Sequence, residues 1–254
     1  MKISVISGSP KGDLSVTLQY VKYIQKKFPL HEFSVHHVGR FVNRIEKDRA
    51  YFDSIIDDVR ASDAVLWAVP LYVFLVPSQC KRFIELVWER GAKEAFEGKY
   101  AAVITTSIHF FDHTAHNYLR AISEDLGMKF AGAFSPDMFD IMKEDERARL
   151  LLFAEEMLEI IEKRRPVTRE FAPLIAGGFD YEPSPAQASV DPAGKKVLVL
   201  ADGAKQGNLG AMIRRFAGSF AAGVEVADIA ELDMRGGCLG CIKCGFDNIC
   251  AYEG

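Results

Sequence analysis

The 254-residue chain is 49% hydrophobic and 26% charged, with a formal net charge of −4. That is the balance of an ordinary globular protein, long enough for one large core or two smaller ones. It lacks the basic excess of a nucleic-acid binder. No apolar run approaches membrane-spanning length. The start, Lys2 to Ile6, enters a strand pattern without the charged-then-apolar leader of a secreted protein. A cytoplasmic location with reduced cysteines is therefore expected.

The first 165 residues alternate strand and helix patterns. Ile3 to Ser7 reads as a strand and runs into Gly8-Ser9-Pro10-Lys11-Gly12. A helix is predicted from Ser15 to Phe28, where Leu18, Val21 and Ile24 form an apolar stripe. Phe33 to Val38 reads as a second strand and Asp48 to Arg60 as a second helix. The near-continuous apolar runs Ala64 to Val69 and Ala101 to Thr106 are those of strands buried on both faces. Helices are expected over Ser78 to Ala92, Thr114 to Leu126 and Glu144 to Arg165, and a fifth strand over Lys129 to Ser135. Five strands alternating with helices imply an α/β, doubly wound parallel sheet, with its ligand beyond the C-terminal strand ends.

Residues 166–194 carry five of the ten prolines and read as a linker, whose Phe171, Phe179 and Tyr181 point to partial packing on the first domain. From 195 to 254 the opening pattern returns in part: a strand at Lys196 to Leu200, a loop, a helix at Leu209 to Phe220, and a strand at Val224 to Ile229. Two strands cannot form a stable sheet alone. They are expected to join the first sheet or a partner's, or to mark a chain that stops within a second domain.

Three segments fall at the C-terminal strand ends. In Gly8 to Thr17, a helix N-terminus offers unpaired N–H groups to an anion, with Ser9, Ser15 and Thr17 as hydroxyl donors and Lys11 as a charge. The same residues also suit a plain capped turn. Pro70 to Ser78 holds two prolines and two aromatics, which suit either a planar ring or a simple hydrophobic anchor. The third segment is Thr105-Thr106-Ser107-Ile108-His109. His109, His113, His116 and Asp112 lie close in sequence, but no HExxH pattern is present. Asp112 is read as a helix N-cap and His109 as a hydrogen-bond donor to a bound ligand or substrate. Cys80 reads as packed and inert, and Trp67 and Trp88 as core or interface residues.

Gly8-Ser9-Pro10, Ser15-x-Thr17, Pro70-Leu71-Tyr72 with Pro77-Ser78-x-x-Lys81-x-Phe83-Ile84-Glu85, and Thr105-Thr106 together resemble the NADPH-dependent FMN reductase and iron–sulfur flavoprotein family. The resemblance implies a flavodoxin-like fold, bound FMN, and an oligomer, a homodimer or larger, whose site is completed across the subunit interface. By position, Ser9, Lys11, Ser15, Val16 and Thr17 would hold the phosphate. Pro70, Leu71, Tyr72, Val73 and Phe74 would lie along the isoalloxazine ring, and Thr105, Thr106 and Ser107 would approach its other side. The implied activity is NAD(P)H-dependent reduction of a quinone, flavin or other acceptor. The alternatives are an electron carrier, working with a redox small molecule or an electron-transfer protein, and a binding module without flavin. Bulky Ser107-Ile108-His109-Phe110 replaces the glycines common there in the family. Asp13, close to the phosphate loop, is expected to face solvent or cap the helix.

The spacing Cys238-x2-Cys241-x2-Cys244-x5-Cys250 suits a [4Fe–4S] cluster, with zinc or no metal as the alternatives. It resembles the compact cysteine motif of iron–sulfur flavoproteins. A second complete FMN site is not expected, because the loop Gly203 to Leu209 matches the first only in part.

Overall fold

A computed structural model of the chain describes residues 1–254 except 174, 176, 188, 204, 205, 222, 253 and 254. Two compact units are present: residues 1–174 with 237–254, and residues 175–236. This partition differs from a division at residues 165 and 195, and it groups the cysteine segment with the first unit.

In the first unit, strands β1 (Lys2–Ser7), β2 (Glu32–His36), β3 (Ala64–Pro70), β4 (Tyr100–Thr106) and β5 (Lys129–Phe134) form one parallel sheet in the order β2-β1-β3-β4-β5. This is the doubly wound, flavodoxin-like order, with its switch point between β1 and β3. The runs that read as doubly buried sit in the middle of the sheet. Alternate residues of β3 face opposite layers. Ala64, Leu66 and Ala68 pack against helices α1 (Val16–Lys27) and α6 (Glu144–Glu162). Val65, Trp67 and Val69 pack against α3 (Arg49–Arg60), α4 (Ser78–Glu89) and α5 (Asp112–Asp125). Trp67 is fully buried and donates its indole N–H to Ser123 Oγ at 3.1 Å, while Trp88 is half-exposed.

Helix α2 (Val38–Lys47) was not expected. Its pattern is weak because Gly39 interrupts the first turn and Phe41 breaks the helical backbone at φ −109°. Gly39 is there for proximity: a Cβ would stand 2.2 Å from the Gly8 carbonyl oxygen. Asp48, read as the first residue of this helix, is its N-cap and accepts the Tyr51 N–H. The proline-rich segment is pinned to the end of α5 at its start. The buried Glu124 carboxylate accepts the N–H groups of Glu170 and Phe171, and Arg169 donates to the Glu124 carbonyl.

In the second unit, β6 (Val197–Ala201) and β7 (Val224–Asp228) pair in parallel around α7 (Gly207–Ala217) as a separate two-stranded sheet. They do not extend the first sheet. Leu198, Leu200 and Val226 remain exposed. Ala204 and Lys205, in the partial phosphate-like loop, lie outside the described residues.

Candidate functional site

The loops after β1, β3 and β4 converge at one sheet edge around a cavity of about 500 Å³. Ser9, Lys11, Ser15, Val16, Thr17, Pro70, Leu71, Tyr72, Val73, Phe74, Thr106 and Ser107 all line it. That volume is of the size small-molecule sites use.

The floor is polar. Ser15 occupies the N-cap of α1 but makes no capping hydrogen bond, and its Oγ is buried without a partner. A buried unpaired hydroxyl costs roughly 1–3 kcal/mol. At the N-terminus of a twelve-residue helix, it stands ready to donate to an anion. Ser9 and Thr17 are likewise buried. Thr17 Oγ1 lies 2.6 Å from Thr106 Oγ1, which joins the α1 loop to the end of β4. Asp13 turns away from the floor, as expected. It is largely exposed and accepts from Lys22 Nζ at 3.1 Å, an ionic hydrogen bond that lowers its pKa.

The wall after β3 is held in an unusual conformation. Tyr72 and Leu75 exchange backbone hydrogen bonds of 2.7 and 3.3 Å across a two-residue turn, with Val73 at φ 42° and Phe74 at φ 71°. Such turns favour Asn-Gly, and each non-glycine residue held there costs on the order of 1–3 kcal/mol. The Leu71 N–H ties this wall to the Thr106 carbonyl at 3.0 Å.

The rim is apolar. Phe74, Phe110 and Phe111 contact one another with ring centroids 4.9–5.5 Å apart, bridging the β3 and β4 loops. Ile108, Phe110 and Met138 also line the cavity and were not predicted. The apolar run from Ile108 to Phe111 was a readable signal, whereas Met138 arrives from the loop after β5 only through folding.

Two predicted residues do not line the cavity. Thr105 is fully buried and bonds to His116 Nε2 at 2.8 Å and Ser135 Oγ at 3.0 Å. His109 is exposed, with Nδ1 3.3 Å from Asp112 Oδ2. Asp112 is not the N-cap of α5. Phe111 holds that position in the left-handed region, and Asp112 is the first helical residue. Burial pushes the Asp112 pKa upward, but hydrogen bonds from Ser135 and His109 outweigh it, and the net shift is downward.

The cysteine segment packs beside the β3 loop. Tyr72 Oη donates to the Leu239 carbonyl at 3.2 Å, and Gln79 Nε2 donates to the carbonyls of Gly237 and Cys238 at 3.2 and 3.4 Å. A Cβ on Gly240 would stand 2.2 Å from Tyr72 Oη, so the Tyr72 ring would have to shift to admit a side chain there. Burial raises the Tyr72 phenol pKa, and nearby Cys238 and Cys241 add to the shift. Cys238, Cys241, Cys244 and Cys250 are exposed, and among the described residues no three His, Cys, Asp or Glu side chains converge on one point. Cys80 is fully buried, which pushes its thiol up to about 12, and it is inert. Among the described residues no helix is long and apolar enough to cross a membrane.

The chain is 30% identical to an FMN-dependent NADH:quinone oxidoreductase of Vibrio vulnificus, over 32% of this chain and 49% of that protein. It is 36% identical to one from Vibrio parahaemolyticus, over 21% of this chain and 32% of that protein. The chain thus spans half or less of the curated relatives it matches. Among solved structures it is similar to an apo NADH:FMN oxidoreductase, with TM-score 0.53 and 20% identity over 61% of this chain and 87% of that one. It is also similar to an oxidoreductase from Corynebacterium diphtheriae, with TM-score 0.53 and 14% identity over 64% of this chain and 98% of that one. At those identities the likeness is one of fold. The profile of the flavodoxin-like fold family matches residues 1–160, and with the sheet order and the three converging loops it leads to one conclusion: the chain belongs to the flavodoxin-like fold family.

Proposed function

We propose that the first unit binds FMN and that the chain is an NAD(P)H-dependent oxidoreductase reducing a quinone, a flavin or another small redox acceptor. The observation that carries this reading is the unpartnered, buried Ser15 hydroxyl, set at a helix N-terminus on the polar floor of a cavity whose rim is apolar. A phosphate-bearing, planar molecule answers both features. Ser9, Ser15, Thr17 and the first N–H groups of α1 would hold the phosphate, with Lys11 adding charge. Pro70, Leu71, Tyr72, Val73 and Phe74 would lie along the ring, with Thr106 and Ser107 opposite.

When bound, FMN supplies two-electron hydride chemistry. The protein positions the ring between two loops that Leu71, Thr17 and Thr106 lock together. The Phe74, Phe110 and Phe111 rim excludes water and favours an apolar acceptor. The names of the partial relatives support the same activity. The electron-carrier alternative would call on Cys238, Cys241, Cys244 and Cys250, whose thiols do not converge among the described residues. Cytoplasmic action and a homodimer or larger oligomer accompany this reading as proposals, checked by fractionation and sedimentation.

The test is titration of the metal-free, flavin-free protein with FMN, followed by NADH or NADPH oxidation with a benzoquinone acceptor. Quenching of flavin fluorescence at one FMN per chain, with quinone-dependent turnover, is expected. A protein that takes up no FMN ends the redox reading.

A further inference from the structure

Cys238 and Cys241 bracket two residues that sit against the cavity wall. Between them, the Leu239 carbonyl accepts the Tyr72 phenol proton at 3.2 Å. Gly240 follows in the left-handed region, at φ 62°, so close to the phenol that a Cβ would meet Tyr72 Oη. Tyr72 itself lines the cavity. The loop is fixed where it begins. Gln79 Nε2 holds the carbonyls of Gly237 and Cys238, and Tyr252 Oη donates to the Gly237 carbonyl at 3.2 Å. Both thiols are exposed. The Gly240 N–H donates to Cys238 Sγ at 3.4 Å, a bond that favours the thiolate and folds this side chain over the loop leading to Cys241.

We propose that Cys238 and Cys241 are a redox-active pair, which a low-molecular-weight disulfide oxidises to an intramolecular disulfide, and that closing it lowers the affinity of the cavity for FMN through Tyr72. The effect on FMN deepens the reading given under Proposed function and rests on it. The Cys238 thiolate attacks one sulfur of the external disulfide, whose S–S bond breaks and releases one thiolate. The Cys241 thiolate then attacks the Cys238 sulfur of the mixed disulfide, and the second thiolate leaves. The two protein thiols lose two electrons, and the external disulfide gains them. The two cysteine protons end on the two released thiols. Excess small thiol runs the exchange backwards.

The coupling to the wall follows from where the loop is held. A disulfide keeps its two Cα atoms about 5.5–6 Å apart and turns both Cβ atoms toward each other. With Gly237 and Cys238 fixed by Gln79 and Tyr252, the adjustment falls on residues 239–241, and two of these are seated on Tyr72. The phenol then loses its acceptor at Leu239, and the ring wall loses the contact that steadies it. Cys244 and Cys250 lie beyond this loop, at the start of the short helix α8 (Cys244–Asp247) and past its end, so the exchange does not call on them.

The test uses the full chain, free of metal and flavin, equilibrated with either glutathione disulfide or dithiothreitol. Thiols are counted by alkylation and mass, and FMN binding is read by quenching of flavin fluorescence. Oxidised wild type should lose two of its four exposed thiols to one Cys238–Cys241 link, with no glutathione retained. Its FMN dissociation constant should stand about 10-fold above that of the reduced protein, the effect of one hydrogen bond lost from the wall. C244S/C250S should respond as wild type does, whereas C238S/C241S and Y72F should each bind FMN equally under both conditions. Four free thiols after oxidation, retained glutathione, or a link through Cys244 or Cys250 overturns the pair. A disulfide that leaves FMN affinity unchanged, or a full response in Y72F, overturns the coupling. In each of these cases FMN uptake by the reduced protein leaves the functional reading standing. Wild type that takes up no FMN under either condition overturns both.

Discussion

Thr17 and Thr106 stand 89 positions apart in sequence, yet their hydroxyl oxygens lie 2.6 Å from each other at the floor of the cavity. The bond closes the α1 loop onto the end of β4 and sets the width of the space between them. In the flavin-free protein, T17V leaves the Thr106 hydroxyl buried and unpaired, and is expected to destabilise the first unit by about 1–3 kcal/mol. The T17V/T106V pair replaces both hydroxyls by methyl groups of similar shape and costs less than the sum of the two single changes. Urea unfolding of the four proteins checks the coupling.

Ser15 gives the opposite sign. Its hydroxyl is buried without a partner, so S15A relieves a penalty and leaves flavin-free stability unchanged or slightly raised. Bound FMN would lose a charge-assisted hydrogen bond worth about 1.5–3 kcal/mol, so its dissociation constant should rise roughly 10- to 100-fold. Fluorescence titration and a melting curve on the same sample read both effects. Equal FMN affinity in S15A and wild type removes Ser15 from the phosphate site.

Gly39 packs α2 against the backbone of the loop after β1. A methyl there would lie 2.2 Å from the Gly8 oxygen and 2.7 Å from the Ser9 carbonyl carbon. Neither atom belongs to a side chain that can rotate away. G39A is therefore expected to cost about 3 kcal/mol or more and to weaken FMN binding through displacement of Ser9. G178A serves as the control, since its Cβ meets nothing within 4 Å and its backbone is not in the left-handed region.

Burial lowers the imidazole pKa values of both His37 and His116. Below the ordinary histidine value near 6.5, the unfolded chain binds protons that the folded chain refuses. Stability from these two groups is whole above that value and is lost as the pH falls through it toward the folded values. The urea midpoint should therefore be higher at pH 7.5 than at pH 5.5. The gap should narrow in H37N/H116Q, which has neither imidazole to charge.

The family and the layered sheet were legible in the residues themselves. Apolar runs such as Ala64 to Val69 can be satisfied only between two helical layers, and a Gly-Ser-Pro turn between strand and helix exposes donors to an anion wherever it occurs. The chain order of those turns placed most of the cavity lining at one sheet edge. Helix α2 was hidden because its glycine answers a contact with Gly8, which no local pattern records. The direction of Thr105 was hidden for a related reason. Neighbouring strand residues face opposite sides, and only the packing of α5 and the loop after β5 decides that Thr106 meets the cavity while Thr105 meets His116 and Ser135. Sequence thus determined which residues could serve an anion and a planar ring. Tertiary structure decided which of them are left unpaired to do so, because a hydroxyl's partner is set by what folds against it and not by its neighbours in the chain.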